Sequence, residues 1–306
     1  MKQFLLILLP VIFLINNADA QGTATDWYNK GVKLNDSSRH SAAVTAYERA
    51  IALDANYRDA YYRLGWTYNE MEVYDKAIEK LSKALDIKKD DAFSMQELGY
   101  AYKKKSNYIE ALNYLNKAIY QKPDYAVAYK QLGDVYAGLK RNTEAITAYE
   151  KAYSLNNKDA NACYEAGYLY NATEKYELAL SWLNKAVAIK PTVSAYNEIG
   201  FANYKLLKND EAFAGYKNAS LINPENGTAY KGMGDVYRRN FKPAKTTEAI
   251  EQYRKAVRYN PKSSGSYFGL GWCYNETQNY DSAIANLKKA SELDPKLTAA
   301  FTELGY

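Results

Sequence analysis

Residues 61–68 read YYRLGWTY, and residues 129–136 read YKQLGDVY. Each stretch places an aromatic residue, a leucine, a glycine and a second aromatic residue at spacings that put all four on one face of a helix. A second apolar face follows, at Ala77, Leu81 and Ala84 after the first stretch. The pattern therefore predicts two short helices joined by a turn, with small residues where the two backbones approach each other.

The glycine of this pattern recurs along nearly the whole chain, at intervals of 34, 34, 34, 34, 33, 34 and 37 residues. One helix pair cannot bury its apolar side alone, so neighbouring pairs must stack to be stable. Prolines stand at the turn that closes several of the units, where they prevent the second helix from continuing. The recurring glycines are Gly31, Gly65, Gly99, Gly133, Gly167, Gly200, Gly234 and Gly271, and the closing prolines are Pro123, Pro191, Pro224, Pro261 and Pro295.

These motifs resemble the tetratricopeptide repeat (TPR), whose signature combines W-x2-L-G-x2-Y, A-x3-F and a proline. The resemblance covers residues 24–297 and implies an all-α fold, a right-handed superhelical solenoid of about eight helix-turn-helix repeats. The repeats are predicted at residues 24–57, 58–91, 92–125, 126–159, 160–192, 193–226, 227–263 and 264–297. Residues 298–306 would form a partial ninth repeat or a cap.

Two features depart from a regular array. The seventh repeat carries about three extra residues between its helices, within residues 239–245 (RNFKPAK), which predicts a longer, basic loop. The last residues resemble the start of another repeat's first helix. Either a short terminal helix covers the end of the stack, or the sequence is a fragment of a longer protein.

The first twenty residues predict export. A lysine at position 2 precedes an apolar run at residues 4–15, and Ala18-Asp19-Ala20 supplies the small residues of a cleavage site. The run is too short for a membrane-spanning helix, which needs roughly 20 apolar residues. We expect cleavage after Ala20, a mature chain at residues 21–306 without a transmembrane segment, and a periplasmic or secreted location; a retained membrane anchor is the alternative.

Composition argues against several functions. A net charge of +5 with interspersed acids and bases predicts no nucleic-acid partner. His40 is the only histidine, which excludes histidine-based catalytic triads and multi-histidine metal sites. The glycines lie at the repeat period inside helices rather than in a phosphate-binding loop. We therefore predict a protein that is not an enzyme, with no cofactor and no metal.

Only two cysteines are present, Cys163 and Cys273. They lie three repeats apart, whereas a disulfide requires Cα atoms within ~7 Å. Two separate buried thiols are expected.

The repeats also recur in threes. Residues 64–70, 166–172 and 270–276 form one type, residues 98–104 and 199–205 a second, and residues 132–138 and 233–239 a third. This second period suggests that a block of three repeats was duplicated.

The TPR resemblance implies that positions 2, 5, 9 and 12 of each first helix line the inner, concave surface. Their spacing places them on one stripe beside the buried face. Aromatic residues and asparagines dominate this stripe, and every third repeat has a Lys–Asp pair instead. The candidate binding residues are Tyr28, Tyr62, Trp66, Asn69, Tyr100, Lys103, Lys130, Asp134, Tyr164, Tyr168, Asn171, Asn197, Phe201, Tyr204, Lys231, Asp235, Arg238, Phe268, Trp272 and Asn275.

Rings with polar tips are typical of interface hot spots, and asparagine amides can bond to a bound backbone. The stripe therefore predicts a scaffold that binds a peptide or protein segment along its groove. There are three alternatives. The rings could pack mainly between repeats, the chain could bind a glycan or the cell wall, or it could be the exported part of a larger envelope complex or enzyme.

Overall fold

The computed structural model describes residues 22–240 and 245–305, with only the backbone of residue 240. All regular structure in these ranges is helical, so the all-α prediction is confirmed. The helices are α1 (Ala24–Asp36), α2 (His40–Leu53), α3 (Arg58–Glu70), α4 (Tyr74–Ile87), α5 (Ala92–Lys104), α6 (Tyr108–Gln121), α7 (Ala126–Gly138), α8 (Asn142–Leu155), α9 (Ala160–Ala172), α10 (Tyr176–Ile189), α11 (Val193–Lys205), α12 (Asn209–Ile222), α13 (Gly227–Asn240), α14 (Thr246–Tyr259), α15 (Ser264–Glu276), α16 (Tyr280–Leu293) and α17 (Thr298–Leu304).

The helices belong to two compact units. Unit 1 is Met1–Pro123, described from residue 22, and contains α1 to α6. Unit 2 is Asp124–Tyr306 and contains α7 to α17. Within each unit, an odd-numbered helix pairs with the next even-numbered one, and successive pairs stack on each other.

The repeated glycine is where the two helices of a pair come closest. A Cβ atom added to Gly65 would lie 2.5 Å from Leu81 Cγ, and one added to Gly133 would lie 2.6 Å from the Tyr149 ring. Contacts this short would force the paired helices apart, because packed interiors have no spare volume. The predicted role of the small residue is confirmed, and the residue it faces is either a leucine or a tyrosine.

A left-handed residue joins the two helices of seven of the pairs, those whose turns are fully described. Seven residues at the fifteenth position of their repeats have φ between 56° and 62°, and none of them is glycine. In the second repeat, Glu72 takes this conformation, and the Val73 amide then donates to the Tyr68 carbonyl at 2.9 Å. This bond satisfies a carbonyl that the end of α3 would otherwise leave without a partner. The seven residues are Ser38, Glu72, Ser106, Lys140, Glu174, Leu207 and Gln278.

Cys163 and Cys273 are buried free thiols, as expected. Burial raises the pKa of the Cys163 thiol to about 11 and that of Cys273 to about 12, so both stay protonated. Across residues 22–240 and 245–305, no helix has both the length and the apolar character needed to cross a bilayer. The predicted signal peptide and most of the predicted basic loop in the seventh repeat lie outside the described residues.

Candidate functional site

A groove of about 660 Å³ runs across the first helices of three successive repeats in unit 2, α9, α11 and α13. We call it the central groove. Seven of the residues predicted from the sequence line it, namely Tyr168, Asn171, Asn197, Phe201, Tyr204, Lys231 and Asp235. The stripe positions therefore do converge on one concavity in this part of the chain.

The rings of the central groove are accessible to different degrees. Tyr168 is 44% exposed and stacks on Tyr164 at 6.3 Å between ring centroids. Phe201 is partly buried and meets Tyr176 edge-on at 6.2 Å. Tyr204 carries the Arg239 guanidinium over its ring at 3.5 Å. Inter-ring packing and an open groove thus coexist, since each of these rings also keeps a solvent-facing part.

Two predicted asparagines bond the next repeat of the stack. Asn69 is 1% exposed, and its Nδ2 donates to the Glu97 carbonyl at 3.1 Å and to Glu97 Oε2 at 2.8 Å. Asn171 is 4% exposed and makes the same two bonds to Glu198. Their Nδ2 groups already bond the next repeat, and each Oδ1 is buried without a hydrogen-bond partner among the described residues. That these amides bond a ligand backbone stays a prediction.

The same contact recurs where repeat types one and two meet. Asn275 Nδ2 lies 3.3 Å from Glu303 Oε2 at the C-terminal end of unit 2. Burial raises the pKa of Glu97 to about 7 and also raises the pKa of Glu198, against the opposing effect of the asparagine bond. The three-repeat period therefore has a structural basis, an asparagine–glutamate contact between neighbouring first helices.

The Lys–Asp pairs of the third repeat type are also built into the fold. Lys130 Nζ lies 3.2 Å from Asp134 Oδ2, and Lys231 Nζ lies 2.6 Å from Asp235 Oδ2. Each aspartate also accepts a bond from the tyrosine of its own second helix, Tyr149 at 3.0 Å and Tyr253 at 2.7 Å. Burial, together with the aspartate, raises the pKa of both phenols, which keeps them protonated as donors.

The stripe continues beyond the central groove on α13 and α15. The Arg238 guanidinium lies 5.9 Å from the Phe268 ring and 5.4 Å from the Trp272 ring. Its Nε donates to the Tyr253 hydroxyl at 3.3 Å. Arg238, Phe268, Trp272 and Asn275 are partly buried.

The candidates of unit 1 lie on α1, α3 and α5. Tyr28 packs on Tyr57 at 5.2 Å, and the Arg63 guanidinium lies 5.8 Å from the Trp66 ring. Lys103 Nζ stands 5.3 Å from the Tyr100 ring. Tyr28, Tyr62, Trp66, Tyr100 and Lys103 are partly buried. A cavity of about 730 Å³ in unit 1 is lined by residues of the segment 85–121 and by none of these candidates.

Several residues that line the central groove were not predicted from the sequence. Glu198 and Gly232 stand at position 6 of their repeats, one residue from the stripe, so the helical wheel alone could have included them. Tyr216 reaches the groove from the second helix α12, a contribution that first-helix positions cannot reveal. Tyr176 is the first residue of the second helix α10, and Lys205 follows the stripe residue Tyr204 at the end of α11.

In the part of the chain that the structure describes, no three His, Cys, Asp or Glu side chains are grouped closely enough to bind a metal ion. His40 Nδ1 is 2.9 Å from Asn35 Oδ1 in the first inter-helix turn, far along the sequence from the groove helices. The central groove presents aromatic rings, hydroxyl groups and charged side chains, which are groups that can bind a ligand.

Sequence comparison identifies the class of protein. One tetratricopeptide repeat model matches residues 97–160, 131–194 and 244–297, a second matches 59–91, and a TPR repeat model matches 31–72. These matches span most of the described chain, and the chain belongs to the tetratricopeptide repeat family. No curated protein matches the sequence.

Solved structures show the same fold at low sequence identity. The C-terminal part of a TPR repeat-containing protein from Cytophaga hutchinsonii is 16% identical with a TM-score of 0.66, and the match covers 79% of this chain and 99% of that one. Pseudomonas aeruginosa pilF is 17% identical with a TM-score of 0.62, covering 69% and 97%. YrrB, described as a TPR protein with an unusual peptide-binding site, is 22% identical with a TM-score of 0.52, covering 63% and 98%.

Proposed function

We propose that the central groove binds an extended segment of a partner protein, so that the chain acts as a non-catalytic scaffold. One observation carries this proposal. Three ring-bearing side chains, Tyr168, Phe201 and Tyr204, line a single concavity of about 660 Å³ that also presents the charges of Lys231 and Asp235. Apolar area with a few placed polar groups is what a peptide backbone and its side chains need for specific binding.

The general role of the family agrees with this proposal, because TPR proteins mediate protein–protein interaction and YrrB carries a peptide-binding site. Sugar stacking would need open ring faces. Phe201 instead meets Tyr176 edge-on, and Tyr204 is covered by Arg239. The ring geometry therefore favours a peptide over a glycan.

A peptide-display selection tests the proposal directly. A random dodecapeptide library is panned on the purified chain and on a groove variant with Tyr168→Ala, Phe201→Ala and Tyr204→Ala. Each buried ring contact contributes about 1–2 kcal/mol in typical interfaces, so we expect the groove variant to weaken an enriched peptide by about 100-fold or more.

The matched control removes three exposed apolar side chains of unit 2 outside the groove, with Tyr280→Ala, Leu221→Ala and Ile284→Ala. This control variant should bind as the wild type does. Equal binding by the groove variant, or no enrichment of any peptide over background, would refute the proposal. A glycan array on the same proteins would then show whether sugar is the ligand.

We also propose that the chain is exported and works in the periplasm or outside the cell. The support is the short basic start, the apolar run and Ala18-Asp19-Ala20 in the sequence. Mass spectrometry of the protein recovered from the source cells should find an N-terminus at Gln21. Recovery of the intact chain with Met1 from the cytoplasm would refute export.

A further inference from the structure

The tyrosine that faces the repeated glycine has different partners in different repeats. In repeat 4 (residues 126–159) and repeat 7 (residues 227–263), a lysine, an aspartate and this tyrosine form a bonded Lys–Asp–Tyr triad. In repeat 6 (residues 193–226), Phe201 takes the place of the aspartate, so Tyr216 lacks that partner. The Tyr216 hydroxyl makes no hydrogen bond to a described residue.

Two glycines let the Tyr216 ring reach the central groove. A Cβ atom added to Gly200 would lie 2.8 Å from the ring, and one added to Gly232 of the next repeat would lie 2.5 Å from it. The ring is therefore held between α11 and α13, is 6% exposed, and lines the groove. A polar side chain buried to this degree normally has a hydrogen-bond partner, so its hydroxyl is available to a ligand.

A carboxylate lines the same groove. Glu198 is partly buried, and its Oε2 accepts a hydrogen bond from Asn171 Nδ2 at 2.8 Å. No described lysine or arginine lies within ion-pair distance of this carboxylate. The Oδ1 atom of Asn171 is buried without a partner among the described residues, and Glu174 is exposed at the rim. This part of the groove therefore holds acceptor oxygens and a negative charge without a bonded cation.

The cations around the groove are engaged elsewhere. Lys231 is paired with the aspartate of its own helix at 2.6 Å. Lys205 is exposed, and its Nζ lies over the Phe201 ring at 5.5 Å. The Arg239 guanidinium lies over a tyrosine ring at 3.5 Å and donates to a backbone carbonyl at 2.6 Å. None of the three is within ion-pair distance of Glu198.

A partly buried carboxylate without a cation has lost solvation that nothing replaces. Burial raises the pKa of Glu198, and the one hydrogen bond from asparagine opposes the shift. Burial and the charge of Asp235 raise the pKa of the Tyr216 hydroxyl. Glu198 adds to this shift and Arg239 opposes it, so the hydroxyl lies within the field of the carboxylate. A cationic group bound here would compensate both.

We propose that the part of the central groove formed by Tyr216 and Glu198 binds a basic side chain of the partner segment, a lysine or an arginine. This inference rests on the proposed peptide-binding function and adds the chemistry of the ligand. The carboxylate supplies the counter-charge, and the hydroxyl oxygen accepts an N–H of the cation. Tyr168, which is 44% exposed, adds a ring against which the aliphatic part of the side chain packs.

Other side chains fit this part of the groove less well. An acidic side chain would meet the like charge of Glu198. An apolar side chain would cover the carboxylate and the Tyr216 hydroxyl without bonding either of them, which costs free energy. The chemistry of the groove therefore selects a base.

The first test pans the dodecapeptide library on the wild type, Glu198→Gln and Tyr216→Phe. Glutamine removes the charge and keeps an acceptor for Asn171, and phenylalanine keeps the ring between its two glycines. Peptides enriched on the wild type should share a lysine or arginine at one fixed position, and Glu198→Gln should lose this preference. A wild-type consensus without a base, or the same basic consensus on Glu198→Gln, would overturn the inference.

Affinities of one enriched synthetic peptide with blocked termini measure the contact. Replacing its basic residue by norleucine should weaken binding to the wild type about tenfold, the effect of losing one charge-assisted bond, and should change binding to Glu198→Gln little. Because this replacement is made in the ligand, the result does not depend on the stability of a variant. Equal losses on both proteins would contradict the proposal.

Two further measurements address the hydroxyl and the source of the cation. Tyr216→Phe should weaken the parent peptide about fivefold, as for one hydrogen bond; an unchanged affinity would remove the hydroxyl from the site. A peptide with a free N-terminus and no basic side chain should bind as weakly as the norleucine version. Binding as tight as that of the parent would identify a chain-end ammonium as the ligand and overturn the side-chain assignment.

Glu97→Gln is the matched control, because Glu97 accepts the same asparagine bonds in unit 1 and does not line the central groove. It should leave the consensus and the affinities unchanged. If no peptide is enriched on any protein, the proposed function fails and this inference fails with it. If peptides are enriched and the groove variant loses them, but they share no base, only this inference fails.

Discussion

Repeats 4 and 7 have nearly the same sequence around their glycine, LGDVY and MGDVY, and the same Lys–Asp–Tyr triad. They differ at position 12, where Ala137 corresponds to Arg238, and at position 6 of the next repeat, where Glu165 corresponds to Gly269. These two differences exchange the charged residues beside the triad without changing the helix pairing. The repeat motif thus determines the backbone, whereas residues beside the motif determine what the surface can bind.

The largest expected effect tests the part that the two repeats share. Gly133→Leu and Gly234→Leu should each destabilise unit 2 by about 3 kcal/mol or more, because a Cβ alone would lie 2.6 Å and 2.8 Å from the rings of Tyr149 and Tyr253. Chemical denaturation followed by circular dichroism measures the loss. Gly265→Ala is the control, since its Cβ meets only the flexible end of Lys231 and should cost little. A denaturation curve unchanged by Gly133→Leu would contradict the helix pairing described above.

The second prediction separates the two triads by their hydrogen bonds. The Tyr253 hydroxyl bonds both Asp235 and Arg238, whereas that of Tyr149 bonds Asp134 alone. Tyr253→Phe should therefore cost about 2 kcal/mol and Tyr149→Phe about 1 kcal/mol, because each leaves a partly buried charge with fewer partners. Urea denaturation of both variants gives the comparison.

Repeat 1 offers the control for that experiment. Tyr47 occupies the equivalent position, but Val32 replaces the aspartate, and the buried Tyr47 hydroxyl has no hydrogen-bond partner among the described residues. Tyr47→Phe should therefore be neutral or slightly stabilising. Equal losses for all three phenylalanine variants would show that ring packing, not the triad, sets the cost.

A third prediction concerns the turn of repeat 4. Lys140 has φ 59°, in the left-handed region that non-glycine residues enter at a cost of about 1 kcal/mol. Lys140→Gly should raise the stability of unit 2 by up to about 1 kcal/mol, since glycine removes the strain. Ala substituted at the same position keeps the strain and should give no gain. A destabilised glycine variant would mean that the lysine side chain itself holds the turn.

The smallest effect is a pH dependence from Glu165 in the repeat after repeat 4, which Gly269 in the repeat after repeat 7 does not have. The pKa of Glu165 is raised in the folded chain, so the folded state holds its proton more tightly than the unfolded state does. Stability from this group is present at low pH and is lost as pH rises through the raised pKa. Glu165→Gln should remove this component, seen as a smaller fall in unfolding midpoint between pH 4 and pH 7. An unchanged pH profile in the variant would contradict the assignment.

Much of the candidate site could be predicted from the sequence, because stripe positions on a helix follow from its period. Tyr168, Phe201 and Tyr204 were found in this way, and they do line one groove. The bonds that Asn69 and Asn171 make to the next repeat could not be predicted, because a period shows which way a side chain faces, not which neighbouring group it bonds. The partners at Glu97 and Glu198 lie 27 or 28 residues away, a separation at which one sequence carries no pairing signal.

The sequence by itself determined the helical fold, the repeat length and the places where helices must touch, because close approach of two backbones requires a small residue at each crossing. Only the tertiary structure decided which polar groups of neighbouring helices bond each other, as Asn171 and Glu198 do. It also revealed the left-handed turn residues, which are serine, glutamate, lysine, leucine and glutamine and so lack the usual glycine signal. The physical reason is that hydrogen bonds and charge balance depend on distances between separate helices, whereas helix formation depends on neighbours along the chain.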